Sequence, residues 1–199
     1  MWKYGLNYAL NFKPFYDNQS QWLRIGGFQA TGTAIQNPFA FYYVNNNDWS
    51  STHSYQFWNK NFTAVASVNN TETVKTIYSP SPSGYVEPKT AAFTGFTSTG
   101  GNTKNSSQFN VSGSFTKGWN FYTNGWKTGN TIFFDALGYR DTYNGATGAV
   151  GAVGGAGGFW ASGASSASNG RGLYFNSGYV SPQGAGFRSY GFSVRPVSE

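Results

Sequence analysis

Few side chains in this sequence could move a proton or hold a metal, and their spacing decides what each could do. Only 7 of the 199 residues are Asp or Glu, and one is His. Asp135 and Asp141 flank Gly138-Tyr139-Arg140, and two carboxylates are all that a glycosidase needs. With Asp17, Asp48, Glu72, Glu87 and Glu199 scattered elsewhere, the pair reads instead as loop-pinning partners of Arg140 or Arg188. His53 stands among polar turn residues and has no second histidine with which to ligate zinc. The chain contains no cysteine, so disulfides, thiolate nucleophiles and Cys-ligated zinc or iron–sulfur centres are excluded. The glycine run over 151–158 fits neither the dinucleotide spacing nor the phosphate-loop pattern. Gln36-Asn37-Pro38 and Asn47-Asp48-Trp49 lack the clustered oxygens that calcium demands and read as turns. No metal and no cofactor is expected.

Residues 142–198 contain no Asp, Glu or Lys, and their only charges are Arg171, Arg188 and Arg195. General acid–base catalysis needs carboxylates, His or Lys near the reacting atom, so this stretch predicts binding rather than enzymatic activity. What it offers is Tyr174, Tyr179, Phe187 and Tyr190 among Gly, Ser, Ala and Asn, rigid aromatic anchors in an adaptable polar setting. Tyr174, Asn176 and Tyr179 bracket Ser177-Gly178, which predicts a strand–turn–strand whose outward residues alternate with Phe175 and Val180.

The elements that must hold these residues are short strands. Aromatics reach 20% against 10% charged residues, with 27 glycines, and helix formers are too sparse for a bundle. The net charge of +6 is spread singly, without the basic tract that a nucleic acid would require. No apolar run reaches about 18 residues, so no membrane insertion is expected, and the opening Met1-Trp2-Lys3-Tyr4-Gly5-Leu6 lacks a signal-peptide pattern. Strands are predicted at 22–25, 39–44, 74–78, within 109–122, and at 131–134, 159–160, 173–175 and 192–194. Turns are predicted at 37–38 and 45–48, a hairpin loop at 123–130, a proline-ordered turn at 79–88, a short helix at 89–96 and an exposed loop at 97–107. Residues 54–59 fit a helical turn or a strand equally. The whole, residues 1–199, reads as one domain with 1–70 as N-terminal strands and decoration.

Three blocks taken together carry a resemblance: Val74-Lys75-Thr76-Ile77-Tyr78-Ser79-Pro80-Ser81-Pro82-Ser83-Gly84-Tyr85; residues 133–141 ending in Leu137-Gly138-Tyr139-Arg140-Asp141; and Phe159-Trp160-Ala161-Ser162 through Tyr190-Gly191-Phe192-Ser193-Val194-Arg195. They are similar to the Fibrobacter succinogenes major paralogous domain, abundant in surface proteins of Bacteroides-type bacteria and their phages. The match covers residues 70–198 well and 34–70 more loosely. The chain departs from the family where a usual Asp-Pro-Cys-Pro turn is Ser79-Pro80-Ser81-Pro82 and where a frequent Cys is Pro196. The resemblance implies an α+β fold of the C-type-lectin-like class, with a twisted, mostly antiparallel sheet, one or two short helices and long loops.

Some members are targets of diversity-generating retroelements, which randomise adenines in the C-terminal coding segment. The resemblance therefore implies a variable ligand-binding segment over 150–190. Its candidate positions are Gly151, Ala152, Gly155, Ala156, Gly158, Phe159, Ser165, Gly172, Tyr174, Asn176, Tyr179, Ser181, Gly184, Ala185, Gly186, Phe187 and Tyr190. Trp160, Leu173, Phe175, Gly178, Val180, Arg188, Gly191 and Phe192 are implied as scaffold. The implied function is recognition of a protein or glycan receptor on a cell surface, by a surface or pilus-tip adhesin or a phage tail receptor-binding protein. That places the chain outside the cell, with the oligomeric state open and a trimer expected only on a phage fibre. The alternative is a structural pilus or fibre module without its own ligand. A carbohydrate-active enzyme would have to use Asp135 or Asp141.

Overall fold

In a computed structural model of the chain, the structure describes residues 23–37, 40–44, 47–63, 70–141 and 150–199. It is a mixed α+β fold with a twisted, mostly antiparallel sheet and few short helices. The order of elements is β1 (Leu23–Gly26), α1 (Thr31–Gln36), β2 (Ala40–Tyr43), β3 (Tyr85–Val86), β4 (Val111–Ser112), β5 (Gly118–Tyr122), β6 (Thr131–Asp135), β7 (Tyr139–Arg140), β8 (Val150–Gly151), β9 (Ala156–Ala164), β10 (Asn169–Asn176), β11 (Tyr179–Phe187) and β12 (Val197–Ser198). No helix among the described residues is long and apolar enough to cross a membrane.

The alternating aromatics of 118–135 fold as the sequence predicts. β5 and β6 pair antiparallel with Trp119 opposite Phe134 and Phe121 opposite Ile132, and Thr123 N–H closes the loop on Asn130 O at 3.0 Å. Behind this hairpin lies the three-stranded sheet β11-β10-β9. Phe159, Leu173, Phe175 and Val180 from its inner face join Phe93, Phe96, Phe109, Trp119, Phe121 and Phe134 in one buried cluster. Phe96 stacks on Phe121 with centroids 4.1 Å apart, while Phe134 meets Phe159 edge-on at 5.0 Å, the two geometries that ring quadrupoles favour. The one indole N–H that Trp119 brings into this core donates to Asn176 O at 3.0 Å.

Both edges of the β11-β10-β9 sheet are met by isolated residues, Thr103 on the β11 side and Gly138, Ser193 and Pro88 on the β9 side. Thr103 exchanges two backbone hydrogen bonds with Val180 on β11. Ser193 sits beside β9, donating to Gly158 O at 3.0 Å and accepting from Trp160 N–H at 2.9 Å. On the N-terminal side, β1 and β2 run parallel across α1, and Ala34, Ala40, Tyr42 and Trp49 form their own small core. Arg188 ties that side to the C-terminal sheet. It is fully buried and ion-pairs with buried Asp48 at 2.9 Å. It also donates to the carbonyls of His53, Ala167 and Ser54.

Several expectations are corrected. Residues 74–78 form no strand: the Asn59 amide oxygen takes Val74 N–H, Thr76 Oγ1 donates to Phe57 O, and Ile77 is 90% exposed. Side-chain bonds and the Lys60 N–H bond to Val74 O hold this extended run, which has no ladder partner among the described residues. Residues 54–59 are neither helix nor strand, yet bury Phe57 and Trp58. Residues 89–96 close through Ala92→Lys89, Thr94→Ala91 and Phe96→Phe93 bonds, so the helix there is of the tighter 3-10 kind at Thr94–Phe96. The loop at 97–107 buries Thr97 and Thr103 rather than lying free. Residues 192–194 contribute only the Ser193 bridge. Arg188 has Asp48 as an ion-pair partner, a residue that the sequence placed only in a turn. Helix α1 has no side-chain N-cap bond and a Thr-Gly-Thr start, so nothing in its sequence announced it. The turns expected at Pro38, Asn45 and Asn46, the strand residues Trp22 and Phe39, and residues 1–22 lie outside the described residues.

Candidate functional site

On its outer side the β11-β10-β9 sheet carries a second aromatic group of different chemistry. Trp160 and Phe192 pack at 4.5 Å, and with Phe57 and Trp58 they form a buried base on which Tyr139, Tyr174 and Tyr190 rest half-buried. Above this base opens a pocket of about 420 Å³ lined by Asn102, Tyr139, Tyr174, Tyr179, Ser181, Gly184, Ala185, Gly186, Tyr190 and Phe192. This is within the size range of small-ligand sites.

Each wall has a local cause. Tyr174 lies on β10 between the core residues Leu173 and Phe175, so strand alternation turns it outward. The β10–β11 pairing slips between Gly172↔Gly184 and Tyr174↔Ser181, and the extra residue on β11 is a bulge that redirects the strand beside the pocket. At Gly172 a Cβ would stand 2.3 Å from Phe159 O, so only glycine permits this close approach of β9 and β10. Gly186 keeps the floor low: a Cβ there would lie 3.0 Å from Trp160 and 3.1 Å from Phe192. Tyr139 comes from β7 and meets Tyr174 edge-on at 5.8 Å and Tyr190 at 6.1 Å. Ser181 Oγ donates to Asn102 Oδ1 at 2.7 Å, which fixes the amide at the rim.

The pocket is uncharged. None of its lining residues is acidic or basic, and burial, reinforced by the neighbouring Tyr174 hydroxyl, pushes the Tyr139 phenol well above the usual tyrosine range. It therefore stays a neutral donor and acceptor at ordinary pH. Phenols, one hydroxyl and one amide around aromatic faces can hold a ligand by stacking and hydrogen bonds. Among the described residues no three His, Asp or Glu side chains group so as to hold a metal ion.

Of the candidate positions, the structure brings together Tyr174, Tyr179, Ser181, Gly184, Ala185, Gly186 and Tyr190. Phe187 supports them by packing edge-on against Tyr190 at 5.5 Å. Gly151 pairs with Tyr139 and so lies next to the pocket without lining it. Ala152, with φ of +57°, and Gly155 occupy the turn that leads into β9. Ser165 is in the β9–β10 turn, and Asn176 Oδ1 accepts from Gly178 N–H in the β10–β11 turn.

Four candidates are not outward. Phe159 belongs to the core, Ala156 is 3% exposed, and Gly172 and Gly158 are buried against Phe159 and Phe192 respectively. The reason is that β9 is covered on both faces along its whole length, so strand alternation there switches between two interiors rather than between interior and solvent. Asn102 and Tyr139 were not singled out as ligand-binding. No protein-family model, curated protein or solved structure matches the chain.

Proposed function

We propose that this chain is a ligand-recognition domain of the C-type-lectin-like class, related to the Fibrobacter succinogenes major paralogous domain. In this reading it is displayed outside the cell as a surface or pilus-tip adhesin or on a phage tail, and it binds a protein or glycan receptor. The observation that carries it is the convergence of Tyr174, Tyr179, Tyr190 and Ser181 on one uncharged concave pocket. Tyr is the side chain that supplies a large contact area at small entropic cost together with a hydroxyl. The three sequence blocks support the family, and the clustering of small residues at Gly184, Ala185 and Gly186 beside the tyrosines supports a surface whose shape is set by side-chain identity. In this variant the small residues leave the pocket open.

The test is to titrate the labelled chain on candidate host cells and on an array of immobilised glycans, with Tyr174→Ala and Tyr179→Ala beside it. Saturable binding that both substitutions abolish, with unchanged thermal midpoints, is the expected result. Binding that neither substitution alters would sink the assignment of the site. No binding to any host cell or glycan would leave the structural fibre module in its place. Sequencing the 3′ coding segment across a growing population tests diversification separately: changes confined to adenines at the candidate codons are expected.

A further inference from the structure

Away from the tyrosine pocket, a groove of about 550 Å³ runs between the 3-10 turn Thr94–Phe96 and the β5–β6 hairpin loop. The half-exposed Trp126 forms part of its wall beside Tyr122, Thr123 and Ser98. A tryptophan at the tip of an eight-residue loop is ordinarily free to sweep, but here the backbone on both sides of it is fastened. Buried Asn110 donates to Gly95 O at 2.7 Å and to Gly125 O at 2.9 Å, and its Oδ1 accepts from Lys127 N–H at 2.7 Å. One amide side chain thus ties the loop residues before and after Trp126 to the opposite wall. Lys127 adopts φ of +50° to allow this, a conformation uncommon for any residue but glycine. Such locally strained backbone, held by surrounding bonds, marks positions where geometry has been kept for a purpose.

We infer that this groove is a second ligand site, separate from the tyrosine pocket, and that it takes a neutral pyranose. The indole, on a loop whose backbone is fastened on both sides of it, offers a flat apolar face for the C–H face of the sugar ring. Tyr122, Thr123 and Ser98 bring hydroxyls to its edge for equatorial hydroxyl groups. No acid or base is among the residues that line the groove. The nearby Lys127 ammonium lies 5.2 Å from the Trp126 ring and donates to Ser107 O at 3.4 Å, which turns away a cationic ligand. The site does not rest on the assignment of the tyrosine pocket.

The experiment follows the indole N–H resonances of the full chain by NMR, with Trp126 assigned through Trp126→Phe. The probes are glucose, galactose, mannose, N-acetylglucosamine and their β-linked tetrasaccharides, with decaproline as the competing chemistry. Saturable movement of the Trp126 signal by at least one sugar is expected. Trp126→Ala should weaken that binding at least about tenfold, as loss of an aromatic anchor does, whereas Tyr174→Ala should leave it unchanged. Absence of any saturable shift at millimolar sugar, binding that survives Trp126→Ala, or a response to decaproline alone would each overturn the inference. If Trp126→Ala lowers the thermal midpoint, Trp126→Phe, which keeps a ring but shrinks the stacking face, replaces it and should weaken binding by a smaller factor.

Discussion

The two faces of β10 share one backbone and differ in almost everything else. Leu173 and Phe175 point into a core of phenylalanine and tryptophan rings whose one indole N–H is bonded to a backbone carbonyl. Tyr174, between them, points to a face where the rings carry hydroxyls, the floor is cut down to glycine, and an amide stands at the rim. If the outer face existed only to be covered, phenylalanine would serve as well as tyrosine and without polar atoms to satisfy. The contrast teaches that the inner face holds the fold, and it is the ground for proposing that the outer face receives a ligand.

That contrast can be broken most forcefully from the inside. Phe121→Ala should cost about 3–5 kcal/mol, since its ring is fully buried and stacks on Phe96. Denaturant unfolding would show it, and whatever remains folded should bind as before. Arg188→Met should cost an amount of the same order, about 3–5 kcal/mol, because it removes the buried guanidinium that pairs with the buried Asp48 carboxylate. Adding Asp48→Leu should recover part of the loss, and failure to recover any would mean that the backbone bonds of Arg188 matter more than the pair.

Between the faces, Gly158→Ala would place a Cβ 2.7 Å from the Phe192 ring. It should cost about 1–3 kcal/mol through overpacking and push Phe192 into the pocket, so ligand affinity should fall along with stability. The smallest effect belongs to Tyr139. Burial raises its pKa, so the folded chain holds the phenol proton more tightly than the unfolded chain does. Its contribution is complete below about pH 10, the unfolded value, and is lost as pH rises beyond it. Tyr139→Phe should flatten the alkaline fall of the thermal midpoint, and an unaltered slope would show that the phenol is not the group responsible.

What the sequence disclosed follows the range of the interaction concerned. Phe121, Phe134 and the loop at 123–130 were legible because hairpin pairing is local and the aromatics alternate. Tyr174, Tyr179 and Tyr190 were legible because large rings among small residues are unusual within a few positions of sequence. Asn102 was not, since its bond to Ser181 spans 79 residues and its own neighbourhood is a polar loop like many others. Asp48 reached Arg188 over a still longer gulf, with only turn chemistry around it. Phe159 failed for a different reason, because alternation reports which face a side chain takes but not whether that face meets water. At Val74 and Ile77 the right pattern for a strand was present, and no partner strand stands among the described residues.

The single-residue bridges at the sheet margins carry a further consequence. The strands β9, β10 and β11 are rich in Gly, Ala and Ser and contain one charged side chain, Arg171, so an unpaired margin of this sheet would be an open template for another chain. Thr103 on one side, and Gly138, Ser193 and Pro88 on the other, fill backbone positions at Val180 and at Ala156, Gly158, Trp160 and Ser162, and covering an edge is one way in which proteins blunt it. Each backbone group filled in this way is one fewer that a strand of another molecule could pair with along the margins of this sheet.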